Sequence, residues 1–127
     1  MTHTVLIVDD SKLARMAVIK ILDSLHPDWA RVEAANAEEA LQRVRQGAAD
    51  IALVDFNMPG KDGVLLAAEI RRLNLGISVA VISANHQIEV VNRAQSAGAV
   101  FLRKPLTESA LGDFLNAAAQ QHEARKS

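Results

Sequence analysis

Four short apolar runs stop at residues that can do chemistry. Val5-Leu6-Ile7-Val8 ends in Asp9-Asp10, Ile51-Ala52-Leu53-Val54 ends in Asp55, Val79-Ala80-Val81-Ile82 ends in Ser83, and Val100-Phe101-Leu102 leads through Arg103 into Lys104-Pro105. If these runs are strands of one parallel sheet, their carboxyl ends open on a common crevice, where open α/β sheets bind ligands. Three carboxylates would then share a small site with an ammonium and a hydroxyl. Crowding and burial raise carboxylate pKa values unless a cation joins them. A hard divalent ion, Mg²⁺ or Mn²⁺, meets that need, and Mg²⁺ typically combines one or two carboxylates with waters and a phosphate. Phosphoryl transfer needs chiefly positioning and charge neutralisation around an in-line nucleophile. A carboxylate can be that nucleophile and form an acyl phosphate. The set suits a metal-assisted aspartyl-phosphate site, with Ser83 as a hydrogen-bond donor and Lys104 as a charge on a flexible stem.

The elements that must position these groups alternate along the chain. The apolar runs are continuous, as expected for strands buried on both faces of a parallel sheet. Residues 30–35 are mixed, with Val32 between Arg31 and Glu33, which suits a strand nearer an edge. Helical periods lie between the runs. Ala14, Val18, Ile21, Leu22 and Leu25 make one apolar stripe. Asn36 with Glu39 has the capping-box pattern, Ala40, Leu41 and Val44 face inward, and Gly47 ends that helix. Val64 to Leu73, opened by Gly63, is a third helix; Ile88, Val91, Ala94 and Gln95 mark a fourth, closed at Gly98. Thr107 caps a fifth, with Leu111, Phe114, Leu115 and Ala118 inward, and the polar stretch from Gln121 to Ser127 is expected to fray. Strict β-α alternation predicts a doubly wound α/β domain with five parallel strands and five helices.

The chain has 127 residues, the size of one domain, and half of them are apolar, enough for a core. With 14 basic and 15 acidic side chains and no basic run longer than a pair, no direct nucleic-acid partner is expected. There is no cysteine, which excludes disulfides, thiolate metal sites and a Cys nucleophile. The apolar runs fall well short of the roughly 20 residues that span a bilayer, and Met1-Thr2-His3-Thr4 is no signal peptide. A soluble cytoplasmic protein without membrane insertion is the expectation.

The motifs Val8-Asp9-Asp10-Ser11, Asp55-Phe56-Asn57-Met58-Pro59-Gly60 with Asp62-Gly63, Val81-Ile82-Ser83-Ala84, and Lys104-Pro105 occur in order at successive strand ends. Together they resemble the signatures of two-component response-regulator receiver domains, the CheY-like family, over about residues 4 to 119. The resemblance implies strand order 2-1-3-4-5. It implies that Asp55 is the phosphoacceptor, that Asp10 and Asp55 bind Mg²⁺ with the backbone carbonyl of Asn57, and that Asp9 acts through metal-bound water. Lys104 would pair with the acyl-phosphate oxygens, Ser83 would reach the phosphoryl group, and Phe101 would be the switch aromatic. The Lys104-Pro105 bond would be cis. A histidine kinase or phosphotransfer protein would donate the phosphoryl group. A downstream protein would bind the face formed by helix 4, strand 5 and helix 5, and the domain would be a monomer or a phosphorylation-dependent dimer. Two positions depart from the commonest pattern: Ser83 stands where Thr is frequent, and Phe101 lacks a tyrosine hydroxyl. Asn57 and Asn85 occupy positions that tune phosphoryl lifetime in the family.

Simpler readings accompany these. Asp9-Asp10 could cap the first helix, Ser83 could be an ordinary strand-end residue, Lys104 a solvated loop lysine and Phe101 plain core. Gly60 and Gly63 read as turn formers. His3, His26, His86 and His122 are scattered and read as surface residues, and Trp29 as a half-buried loop anchor. Three functions compete: a phosphorylation switch that catalyses only its own phosphorylation and slow dephosphorylation, an inert receiver-like interaction module, and an aspartyl-phosphate phosphohydrolase. The phosphohydrolases expect Asp-x-Asp after the first strand and a cap domain; this chain has adjacent aspartates. No output domain is expected after the fifth helix, so the chain is either a stand-alone receiver or part of a longer regulator.

Overall fold

The apolar runs do form one sheet. The computed structural model describes residues 2–74 and 76–126, with side chains described as far as Glu123. Strands β1 (Thr4–Val8), β2 (Ala30–Ala34), β3 (Ile51–Asp55), β4 (Ser78–Ser83) and β5 (Val100–Arg103) are all parallel, in the order β2-β1-β3-β4-β5. Helices α1 (Lys12–Leu25), α2 (Ala37–Arg45), α3 (Gly63–Leu73), α4 (Ile88–Ser96) and α5 (Glu108–Lys126) alternate with them. The mixed strand is at one edge, as its pattern predicts.

Alternation along each strand splits the core into two layers. Leu6, Val8, Ala52 and Val54 point to the side covered by α2, α3 and α4, where they meet Leu41, Val44, Leu66, Ile70 and Ala94. Val5, Ile7, Ile51 and Leu53 point to the other side, against Leu22 of α1 and Leu111, Phe114 and Leu115 of α5. Burying each such side chain is worth roughly 1.5–3 kcal/mol, so both layers hold the strand ends in fixed register.

Local signals set the helix ends. Ser11, Asn36 and Asp62 accept the backbone N–H groups of Ala14, Glu39 and Leu65, and Thr107 accepts that of Ala110. The Asp9-Asp10 pair therefore is not the side-chain cap of α1; Ser11 is. Glu39 returns a bond to the N–H of Ala35 at 3.2 Å, close to the capping-box pattern. Gly47 follows α2 at φ 72°, a left-handed conformation that suits glycine.

The structure corrects four sequence expectations. In α4 the inner stripe is Val90 and Ala94, continued by Ala97, while Ile88 is 77 % exposed. Two overlapping helical stripes run through this segment, and the small Ala94 belongs to both. The polar stretch from Gln121 does not fray at once: α5 continues to Lys126. Gln121 pairs with Ser78 Oγ, and His122 Nε2 lies 2.7 Å from the carbonyl of Asp50. Finally, the histidines are not all surface residues. His3 is buried beneath β1, edge-on to Trp29 at 4.8 Å; His26 stacks on Trp29 at 3.8 Å; His122 lies 5.6 Å from His3. Trp29 is buried rather than half-buried, with the rings of His3 and His26 packed on it. No described helix is long and apolar enough to cross a membrane.

Candidate functional site

Parallel strands deliver their carboxyl ends to one edge, and the reactive residues sit there. Asp55 is the last residue of β3 and Ser83 the last of β4; Asp9 follows β1 directly, and Lys104 follows β5. The ladder continues just past the strand ends, which fixes these positions. The Phe56 N–H donates to the Ile82 carbonyl at 2.9 Å, the Lys104 N–H to the Ser83 carbonyl at 3.0 Å, and the Asp9 N–H to the Ala34 carbonyl at 3.2 Å.

Carboxylate oxygens of Asp9, Asp10 and Asp55 all lie within 4.8 Å of one another. Asp9 and Asp55 are buried and Asp10 is exposed. Burial pushes the Asp9 carboxyl above its usual pKa, with the charges of Asp55 and Asp10 adding to the rise. The N–H of Ser11 on Asp9 Oδ1 and the Lys104 ammonium oppose it without cancelling it. Lys104 Nζ lies 2.6 Å from Asp55 Oδ1. That contact is one of charge: Oδ1 accepts no well-directed hydrogen bond although it is buried. A crowded acidic group with a buried, under-satisfied oxygen fits a hard divalent cation, which needs such oxygens.

Ser83 ends β4, the strand between those that lead to Asp55 and Lys104. Ser83 is buried, and its Oγ accepts the N–H of Asn85 at 2.9 Å. Asn57 is exposed in the β3–α3 loop. Phe101 is half-buried in β5, opposite Val81, and packs against the α2–α4 side of the core. The Lys104-Pro105 bond is cis, as the resemblance implies. Beside Asp9, Asp55 and Lys104 opens a hollow of about 580 Å³, walled by Ala14, Ala17, Val18 and Ile21 of α1 and by Ile82, Pro105 and Leu106.

The supporting roles of three residues escaped the sequence reading. Gly63, read as a turn former, opens α3 with its Cα against the end of β3; a Cβ there would collide with the Asp55 carbonyl and lie 2.8 Å from Phe56 Cα. Asp62 does more than complete a motif: it caps α3 and accepts Arg93 of α4 at 2.9 Å. Arg15 bonds the Asp9 carbonyl. A cap position and an Asp-Gly pair were visible as signals for the first two; nothing in the spacing marks Arg15.

A doubly wound sheet with acidic strand ends defines a class, and comparison with known proteins gives the family. Residues 5–116 match the response regulator receiver domain, and the chain belongs to that family. It is 32 % identical to the nitrate/nitrite response regulator NarL of Escherichia coli over 118 residues, 91 % of this chain and 54 % of that protein. It is 30 % identical to the chemotaxis protein CheY of Bacillus subtilis over 117 residues, 91 % of this chain and 97 % of that one. The solved receiver domain of NarL from Mycobacterium tuberculosis superposes with a TM-score of 0.82 at 34 % identity, covering 93 % of this chain and 97 % of the other. A CheY-like receiver from Methanospirillum hungatei shares the fold at TM-score 0.86 and 22 % identity, covering 98 % and 99 %. The chain thus spans about half the length of its NarL-type relatives and nearly all of CheY. Receivers are phosphorylation-dependent signalling domains of two-component systems rather than dedicated enzymes, and histidine kinases supply their phosphoryl groups.

Proposed function

We propose that Asp55 of this receiver accepts the phosphoryl group, with a divalent cation held by Asp10, Asp55 and the Asn57 carbonyl and assisted by Asp9. The observation that carries the reading is the buried Asp55 carboxylate, charge-paired with Lys104 and crowded by Asp9 and Asp10. Bound there, Mg²⁺ or Mn²⁺ would supply the positive charge that lets an anionic phosphoryl group approach three carboxylates. The chain's own residues do the rest. One oxygen of Asp55 attacks phosphorus in line; the bond from phosphorus to the donor breaks, and the donor keeps the electron pair. With a phosphohistidine donor, the departing imidazole takes up a proton. Lys104 moves from the carboxylate to the acyl-phosphate oxygens, and Ser83 exchanges its bond with Asn85 for one donated to the phosphoryl group. Phe101 then moves into the space that the hydroxyl leaves.

A histidine kinase or phosphotransfer protein is the donor, and a protein target binds the face of α4, β5 and α5. The exposure of Ile88 and Val100 on that face, 77 % and 47 %, supports a partner there. The inert-module reading is weakened by the meeting of Asp9, Asp10, Asp55 and Lys104, and the phosphohydrolase reading by the adjacent Asp9 and Asp10.

The test is intact-mass analysis after incubation with acetyl phosphate, with and without Mg²⁺. A Mg²⁺-dependent gain of one phosphoryl group, lost in Asp55→Asn, is expected. A folded wild-type chain that gains none in Mg²⁺ contradicts the switch and returns the chain to the inert module.

A further inference from the structure

Arg15 stands near the start of α1 with its side chain only 14 % exposed. Its Nη1 donates to the Asp9 carbonyl at 2.6 Å, and its Nε donates to Glu33 Oε1 at 2.9 Å. Glu33 belongs to the edge strand β2, where it pairs with Ile7 of β1. The Asp9 carbonyl is half of the peptide that joins Asp9 to Asp10, so the guanidinium fixes the plane from which both carboxylates project. The same turn is held by the Asp9 N–H on Ala34 and the Ser11 N–H on Asp9 Oδ1. Arg15 adds a charge-assisted bond, stronger than the neutral pairing of the Asp9 N–H with Ala34.

We infer that Arg15 is a positioning residue of the acidic site: by clamping the Asp9–Asp10 peptide to Glu33 it aims the two carboxylates and thereby sets the affinity for a divalent cation. The inference rests on the cation reading above and goes beyond it by naming what holds the ligands in place. Groups that orient metal ligands from outside usually matter to binding almost as much as the ligands. Glu33 has a second role. A bare guanidinium this close would repel a cation, and the carboxylate of Glu33 offsets that charge. Lysine cannot substitute fully, because one ammonium lacks the rigid fork that spans a carbonyl and a carboxylate together.

The test is a Mg²⁺ titration of the metal-free full chain, followed by the NMR signals of the Asp10 and Ser11 amides. Arg15→Met is expected to weaken Mg²⁺ binding roughly tenfold. Arg15→Lys should recover part of that loss. Glu33→Gln keeps an acceptor for Nε and should lose less than Arg15→Met. In the metal-free protein the Ser11 amide should exchange faster in Arg15→Met than in wild type, a readout independent of any cation. A folded Arg15→Met that binds Mg²⁺ within about twofold of wild type overturns the inference. If Arg15→Met does not fold, unchanged affinity in both Arg15→Lys and Glu33→Gln overturns it equally. A wild-type chain whose amides do not respond to Mg²⁺ overturns the cation reading itself, and is told apart because no variant is needed to see it.

Discussion

Lys104 Nζ lies 2.6 Å from Asp55 Oδ1, although β4 separates the strands that carry them. The ammonium reaches across the end of β4, past Ser83. One cation thus serves this buried carboxylate from a side chain 39 % exposed. Lys104→Met should therefore leave the buried Asp55 side chain without this cation. Partial exposure limits the cost in stability to about 1 kcal/mol. Phosphoryl acceptance from acetyl phosphate should fall much further, by roughly 10²-fold, the usual consequence of losing one stabiliser of developing charge. Urea unfolding and timed intact-mass measurements check the two separately.

Asp9 should make the metal-free fold sensitive to pH. Its carboxyl is pushed up by burial and by the charges of Asp55 and Asp10, so the folded state holds the proton more tightly than the unfolded chain does. Ionised Asp9 is then a penalty at neutral pH, and the penalty disappears as pH falls through the raised value towards the ordinary carboxylate range. Asp9→Asn keeps an oxygen for the Ser11 N–H and removes the charge. It should raise the melting temperature of the metal-free protein by a few degrees at pH 7 and by nothing below about pH 4, while weakening its response to Mg²⁺.

Asp62 should behave with the opposite sign. Burial pushes its carboxyl up, but the N–H of Leu65 and the guanidinium of Arg93 together outweigh that and hold it below the usual value. The stability it contributes is present above the ordinary carboxylate pKa and is lost as pH falls through the lowered folded value. Arg93→Met should reduce that acid-dependent loss, measured by unfolding between about pH 5 and pH 2.

Gly63→Ala should damage the site from behind. The added methyl meets the backbone of Asp55 and Phe56, which cannot move without shifting the end of β3. A loss of about 1–3 kcal/mol in unfolding free energy is expected, together with slower phosphorylation of Asp55.

Ser83→Ala should separate chemistry from signalling. It leaves the Asn85 N–H without its acceptor, at a cost of about 1 kcal/mol. Phosphorylation should still occur, but the change in the ring signals of Phe101 on phosphorylation, read by NMR, should be much reduced.

Most of the fold could be read because its signals are local. Continuous apolar runs announce strands buried on both faces, and Asn36 and Thr107 stand where helices begin. The strand-end rule then brings Asp9, Asp55, Ser83 and Lys104 together without further information. What could not be read depends on distance in three dimensions. Arg15 and Glu33 look like ordinary surface charges, and only the pairing of β2 with β1 makes them meet above the Asp9 peptide. His3, His26 and His122 have no ligand spacing; the fold sets His3 and His26 against Trp29 and His122 beside His3. In α4 two helical stripes overlap, so the periodicity of Ile88 and Val91 misled where Val90 is the buried residue.

Borohydride reduction followed by peptide mapping locates the acyl phosphate on the chain. After treatment with acetyl phosphate and Mg²⁺, an acyl phosphate on an aspartate is reduced to homoserine, and fragmentation reads its position. Homoserine is expected at position 55 alone, and absent when Mg²⁺ is omitted. Homoserine at position 9 or 10 instead, or none anywhere in a folded chain, would contradict that expectation.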